Sequence, residues 1–417
     1  MQKNIKKSSV RKWLVMMILS VSASSIYLLP FLQEVYYRPL ADALQLNNTQ
    51  VGTLMSIYGT FAMLAYFPGG WVADKIIPRY LITISLIATG LIGLYFATLP
   101  SYEISLIIHA LWGVTTTLLF WSSIVRVTRH WAPSHEQGKA FGFLQTGRSI
   151  SDVIVSFPIL AIFGILGSGV FALSMVIIQI STITIIAGIS AWYVLSDEDG
   201  GENSKIISIR SSVTEIISVL KMPAVWLIAV VVLAAYSAYW GAYRFTSYST
   251  DIFSLSVIAA GAISIGKMVI SPPSALIAGF VSDKVGIAKS VVVLFVLLII
   301  SFLIFAFLPG LPSFLPVMLI NIAIASFAIF ALRAIYFALL EEGGIPVIVT
   351  GTATGFISML GFTPDIFMPL LGGILLDSMP TVEGYRAFFI SVAVICGLGL
   401  VASIFLYRLA ANRDKTK

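Results

Sequence analysis

Arg148, Asp152, Lys267 and Asp365 stand deep inside long apolar runs of a 417-residue chain. A charge at the centre of a membrane helix costs roughly 2.5–3.5 kcal/mol on insertion scales, so residues of this kind face a cavity and mark a path for a solute or an ion. Arg148 follows Gly138 by ten residues, which at about 1.5 Å per residue sets it roughly 15 Å deep, near the middle of a hydrocarbon layer roughly 30 Å thick. Lys267 lies at a similar depth in its own run. A guanidinium or ammonium held in a cavity binds carboxylate, phosphate or sulfonate, and arginine does so through two parallel hydrogen bonds. An acid near a cation in a poorly solvated site suits reversible proton exchange, which nominates Asp152 and Asp365 for proton coupling. Two plainer readings stay open: Arg148 and Asp152, four apart, form a pair along one helix face, and the acids are static ties between helices.

The elements that must hold these groups are membrane helices. The chain is 58% hydrophobic and 11% charged with a mean hydropathy of +0.98, too apolar for a soluble domain. Apolar runs at 13–33, 51–73, 80–99, 105–128, 138–164, 169–195, 223–247, 257–282, 289–308, 314–340, 347–376 and 386–408 predict twelve transmembrane helices in an all-α membrane protein. The basic start (Lys3, Lys6, Lys7, Arg11, Lys12) also fits a signal peptide cut after Ala23, but the apolar run continues to Leu32 and favours an uncleaved first helix. With the N-terminus inside, the lysines and arginines of the turns fall on the cytoplasmic side except Arg38 and Arg386, so both termini are expected in the cytoplasm. The same topology accounts for the net charge of +6 without nucleic acid. A polar stretch at 196–222 predicts a cytoplasmic linker, with a short amphipathic helix near 212–220, between six-helix bundles at 1–195 and 223–417.

Enzyme chemistry finds no support. His109, His130 and His135 lack metal-ligand spacing, a lone Cys396 excludes an intrachain disulfide, and no G-x-x-x-x-G-K-[ST] phosphate loop is present. No metal and no cofactor is expected, and an ion or solute gradient, in place of ATP, is the expected source of energy.

The two halves repeat. A shift of 209 positions places Gly52 on Gly261, Gly70 on Gly279, Asp74 on Asp283, Lys75 on Lys284 and Gly142 on Gly351. The turns GGWVADKIIPR and AGFVSDKVGIAK resemble the G-x-x-x-D-[RK]-x-G-[RK]-[RK] signature of the major facilitator superfamily. The first has Ile77 and Pro78 where the signature has glycine and a basic residue. That resemblance implies alternating access between two pseudo-symmetric six-helix bundles, with Gly70, Asp74, Lys75, Gly279, Asp283 and Lys284 as gating residues. HWAPSHEQGKAFG resembles the organophosphate:phosphate antiporter family through His130, Trp131, Glu136 and Gly138, with Gln137 in place of arginine. This resemblance puts Arg126 on a family arginine and Arg148 on a substrate-site histidine of the glycerol-phosphate carriers. The first segment departs from those carriers, with Tyr27 and a polar exit at Gln33 and Glu34 where they have arginine. LITISLIATGLIGLY, GKAFGFLQTGRSISD and GFTPDIF are similar to the YihN-like inner-membrane proteins, a bacterial branch of the superfamily.

Further candidates for substrate contact are Arg126 and Arg333 toward the inner ends of the fourth and tenth runs, Tyr27, Tyr58, and Arg244 near the outer end of the seventh. Tyr236, Tyr239, Trp240 and Tyr243 read as an interfacial aromatic belt in preference to a cavity lining. The expected function is secondary transport of a small organic anion across a bacterial inner membrane by a monomer embedded in the lipid bilayer. Protons or a counter-anion would couple it. An exporter of amphipathic drugs and a transport-inactive sensor are the alternatives.

Overall fold

The computed structural model describes residues 2–132, 137–199, 218–346 and 350–414. Among them there is no strand, and eleven helical segments are long and apolar enough to cross a membrane. The second apolar run is the helix Asn48–Lys75, 28 residues long, which completes the twelve runs. Of the linker at 196–222, residues 196–199 and 218–222 are described, and the amphipathic helix expected near 212–220 lies mostly outside the described residues.

The chain packs as two compact units, Met1–Ser204 with Ser256–Val269, and Lys205–Leu255 with Ile270–Lys417. The stretch 256–269, assigned from sequence to the C-terminal bundle, thus groups with the first unit.

In the first unit, α1 (Gln2–Leu28) and α2 (Gln33–Leu44) form one crossing with a break. Pro30 lacks an N–H and leaves the Ile26 carbonyl without its helical donor, so the ladder stops and restarts at Gln33. The restart puts Glu34 in the first turn of α2, where the exposed N–H groups favour an acid. The helix α3 (Asn48–Lys75) opens with a capping box, Asn47 and Gln50 each accepting the other's backbone N–H. There follow α4 (Pro78–Phe96), α5 (Tyr102–Val114), a π-helical stretch Thr115–Trp121, α6 (Ser122–Trp131), α7 (Gln137–Ile165) and α8 (Val170–Val194). The wider π turn shifts the carbonyl ladder, and Ser85 donates to the Thr115 carbonyl at 2.8 Å. Val15, Leu19, Ala23 and Ile26 recur at helical spacing on α1 and pack with Ile82 and Leu86 of α4 and Ala187 and Ala191 of α8.

The second unit holds α9 (Pro223–Tyr243) and α10 (Phe245–Asp251), which break at Arg244, and α12 (Ile287–Phe307), α13 (Leu315–Ile335) and α14 (Leu339–Glu342). It also holds α15 (Thr350–Gly361), α16 (Pro364–Ser378) and α17 (Thr381–Asp414). Between them in sequence α11 (Val257–Val285) starts in the first unit and ends in the second. Phe245, Phe302, Phe305 and Phe389 form the aromatic centre of this unit. Gly399 lets α17 close on α9 and α12, since a Cβ there would stand 2.5 Å from Phe295 and 2.6 Å from Ala234. The gap before α16 has a local cause: Pro364 removes one donor to the Leu360 carbonyl, and the Thr363 hydroxyl replaces it at 2.7 Å.

Candidate functional site

In the first unit the site grows from a close approach of α1 and α7. A Cβ at Gly147 would stand 2.7 Å from the Cβ of Ser20, so glycine is what admits the contact and brings Arg148 against α1. The Arg148 guanidinium then lies over the Tyr27 ring, 4.8 Å from its centroid, in a cation–π arrangement. One turn on, Asp152 Oδ1 accepts a 2.6 Å hydrogen bond from the Ser24 hydroxyl. Ser24 and Tyr27 share a face of α1, as Arg148 and Asp152 share a face of α7. The acid and the arginine also interact electrostatically, and Glu34 adds its negative charge to the same field.

Lys267, expected from its depth as a substrate contact, is paired within the first unit. Its ammonium forms an ion pair with Glu34 Oε1 at 2.6 Å, and its side chain is 1% exposed. Ser264, three residues before it on α11, donates to the backbone carbonyl of Glu34 at 3.1 Å. Glu34, read from sequence as part of a polar helix exit, stands in the first turn of α2 and is a further candidate that sequence reasoning passed over. The signal was available in Lys267: an ammonium at that depth demands a counter-charge.

The second unit carries a comparable group built on α9. Trp240 Nε1 donates to Asp365 Oδ1 at 2.8 Å, and the Tyr236 hydroxyl to Oδ2 at 3.4 Å. The Arg333 guanidinium stacks 4.0 Å from the Tyr239 centroid and 5.8 Å from that of Tyr236. It acts electrostatically on Asp365, a basic neighbour 32 positions away in sequence. The aromatic set is not a belt: Trp240 and Tyr243 are buried, and Tyr236 and Trp240 spend their polar ends on an acid. The 209-position shift superposes Tyr27 on Tyr236, so each unit sets a pseudo-equivalent tyrosine under an arginine.

Other candidates fall elsewhere. Arg126 donates to the Ala73 carbonyl at 2.5 Å and so caps the C-terminal end of α3. Tyr58 is buried with its hydroxyl 3.1 Å from that of Thr116. Arg244, 6% exposed, stands at the α9–α10 break, donates to the Pro369 carbonyl of α16 at 3.3 Å and lies over Phe388 of α17. His130 contacts the Arg126 carbonyl and Trp131 donates to that of Lys12, while His135 and Glu136 lie outside the described residues. Of the gating candidates, Asp283 and Lys284 are exposed at the end of α11 and Gly279 has open space beside it; the side chains of Asp74 and Lys75, and Gly70, lie outside the described set. No group of acids, histidines and cysteine among the described residues has a metal-binding arrangement.

A bundle of apolar helices with cation–acid pairs sunk in each unit is the build of a membrane transporter. The chain belongs to the major facilitator superfamily, whose family model it matches over residues 13–364. It is similar to inner membrane protein YihN of Escherichia coli (strain K12), 32% identical over an alignment of 416 positions that covers 97% of each chain. Inner membrane protein YqcE of the same organism is 28% identical, with 98% of each chain covered. Among solved structures, a bacterial homologue of the human lysosomal transporter Spinster, inward-facing and unoccupied, superposes with a TM-score of 0.76 over 96% of this chain and 97% of its own at 12% identity. The protein is accordingly a multi-pass membrane transporter of that superfamily.

Proposed function

We propose that the protein is a secondary active transporter of a small organic anion across a bacterial inner membrane, working by alternating access with both termini cytoplasmic. The observation that carries this reading is Arg148: a guanidinium at the middle of a membrane helix, held over Tyr27 and set one turn from an acid that Ser24 already engages. A guanidinium can bind an incoming carboxylate, phosphate or sulfonate through two parallel hydrogen bonds. Arg333, stacked on Tyr239, is the corresponding cation of the second unit. Asp365 is the coupling acid in this scheme and Asp152 the acid that balances Arg148, with protons or a counter-anion supplying the energy. The repeated turns at Gly70, Asp74 and Lys75 and at Gly279, Asp283 and Lys284 serve as gates between bundles 1–195 and 223–417.

The test is titration of purified protein with acetate, methylphosphonate and methanesulfonate, followed by thermal stability. At least one probe is expected to stabilise the wild type, and Arg148→Ala is expected to abolish that response while the protein stays folded in detergent. An unchanged response in Arg148→Ala removes Arg148 from the site.

A further inference from the structure

In the second unit α9 and α17 close on each other at Gly399, where a Cβ would stand 2.6 Å from that of Ala234. Toward the start of α9 and the end of α17 they part, and an apolar groove of about 490 Å³ opens between Pro223, Trp226, Leu227 and Val230 on one wall and Phe405 and Leu409 on the other. That volume lies within the roughly 300–1,000 Å³ usual for ligand pockets. Leu409 follows Gly399 by ten residues, so the groove reaches about 15 Å along the helix. The α9 wall recurs at i, i+3, i+4 and i+7, a single stripe, while Ala224, Val225, Ile228 and Ala229 turn into the bundle. Trp226 Nε1 donates to the Leu220 carbonyl at 2.9 Å, which fixes the indole at the mouth.

The mouth is basic. Lys221 precedes Pro223 by two positions, and Arg408 follows Phe405 by three on the same face of α17. Both are exposed, and no ion pair among the described residues involves either. The matching corner of the first unit is closed by the chain's own acid: the 209-position shift places Lys12 on Lys221 and Asp199 on Arg408, and Asp199 pairs with Arg11 at 2.6 Å. Where the first unit carries that acid, the second carries a cation.

We infer that this groove binds an anionic phospholipid, with an acyl chain between α9 and α17 and the phosphodiester at Lys221 and Arg408. The apolar walls offer nothing to a free anion and remove a hydrocarbon chain from its neighbours along its length. The two cations attract a headgroup of net negative charge and repel the ammonium of a zwitterionic one. On the topology proposed above the mouth faces the cytoplasmic leaflet, whose anionic lipids draw basic groups to its surface. A tryptophan with its N–H at headgroup level suits that same boundary. The lipid site is independent of whether the transported solute is an anion.

The experiment is native mass spectrometry of the full chain in detergent, titrated with phosphatidylglycerol or with phosphatidylcholine of the same acyl chains. A lysine or arginine near an anionic lipid surface contributes about a fivefold factor, so wild type is expected to prefer phosphatidylglycerol about 30-fold. Lys221→Gln should cut the preference about fivefold, and Arg408→Asp, which restores the acid of the first unit's corner, should abolish it. Val230→Trp, which fills the groove, should weaken both lipids. Arg148→Ala should bind phosphatidylglycerol as wild type does. Equal affinity of wild type for the two lipids overturns the inference, as does a preference that survives in Arg408→Asp. Loss of the lipid in Arg148→Ala also overturns it, by assigning the lipid to the solute path, and displacement of the lipid by inorganic phosphate does so by assigning the cations to a free anion.

Discussion

Trp240 Nε1 donates a 2.8 Å hydrogen bond to Asp365 Oδ1, joining an indole on α9 to an acid in the first turn of α16, 125 positions away. The bond is specific because the neighbouring geometry leaves little choice. Thr363 satisfies the carbonyl that Pro364 abandons, Pro364 fixes the start of α16, and the carboxylate is delivered to the aromatic face of α9. Phe in place of Trp240 keeps the ring and deletes the donor. A hydrogen bond to a charged group contributes about 1.5–3 kcal/mol, so Trp240→Phe is expected to lower thermal stability by an amount in that range. Unaltered stability would show that the indole N–H is satisfied elsewhere.

Asp365 itself is expected to carry the coupled proton. In proteoliposomes Asp365→Asn should lose accumulation of solute driven by a pH gradient and retain exchange of labelled solute, because exchange requires no net change of protonation over the cycle. Gradient-driven accumulation that survives in Asp365→Asn at the wild-type level assigns the acid a structural role.

Tyr27 should tune Arg148 through its ring face alone. A cation–π contact is worth about 0.5–2 kcal/mol, so Tyr27→Leu is expected to weaken anion binding roughly 2- to 30-fold, and Tyr27→Phe to stay close to wild type. Titration calorimetry separates the two. Equal losses in both variants would point to the hydroxyl in place of the ring.

Arg126 caps α3 at the Ala73 carbonyl, and its removal should be felt in stability before binding. Arg126→Ala is expected to cost about 0.3–1 kcal/mol, the usual size of a cation at a helix C-terminus, with anion affinity unchanged. A loss of affinity at full stability would return Arg126 to the substrate path.

Glu342 accepts the backbone N–H groups of Ile287 and Ala288 at 2.7 and 2.8 Å, which caps the N-terminus of α12 directly after the repeated turn. Glu342→Ala leaves both donors unmade and should destabilise the protein by about 1–3 kcal/mol. Glu342→Gln keeps acceptor oxygen and should lose less. The order of the two melting temperatures checks the assignment, and a reversed order refutes it.

The long helices, the twelve runs, the repeated turns and the placement of Arg148, Lys267, Asp152 and Asp365 within helices were legible in the amino-acid order. Hydropathy over some twenty residues and the cost of a charge within it are local quantities, and a fixed rise per residue converts position into depth. The partners of those charges were not legible. Ser24 reaches Asp152 over 128 positions and Trp240 reaches Asp365 over 125, and neither spacing has a period to detect. What decides them is packing: glycine at 147 lets α7 settle on α1, the Pro30 break turns Glu34 toward Lys267, and the start of α16 at Pro364 turns Asp365 toward α9. The sequence alone therefore determined that charges stand within apolar helices. Only the tertiary structure decided which cation each acid answers to, because ion pairing and hydrogen bonding act over a few ångströms between helices whose approach is set by side-chain volume.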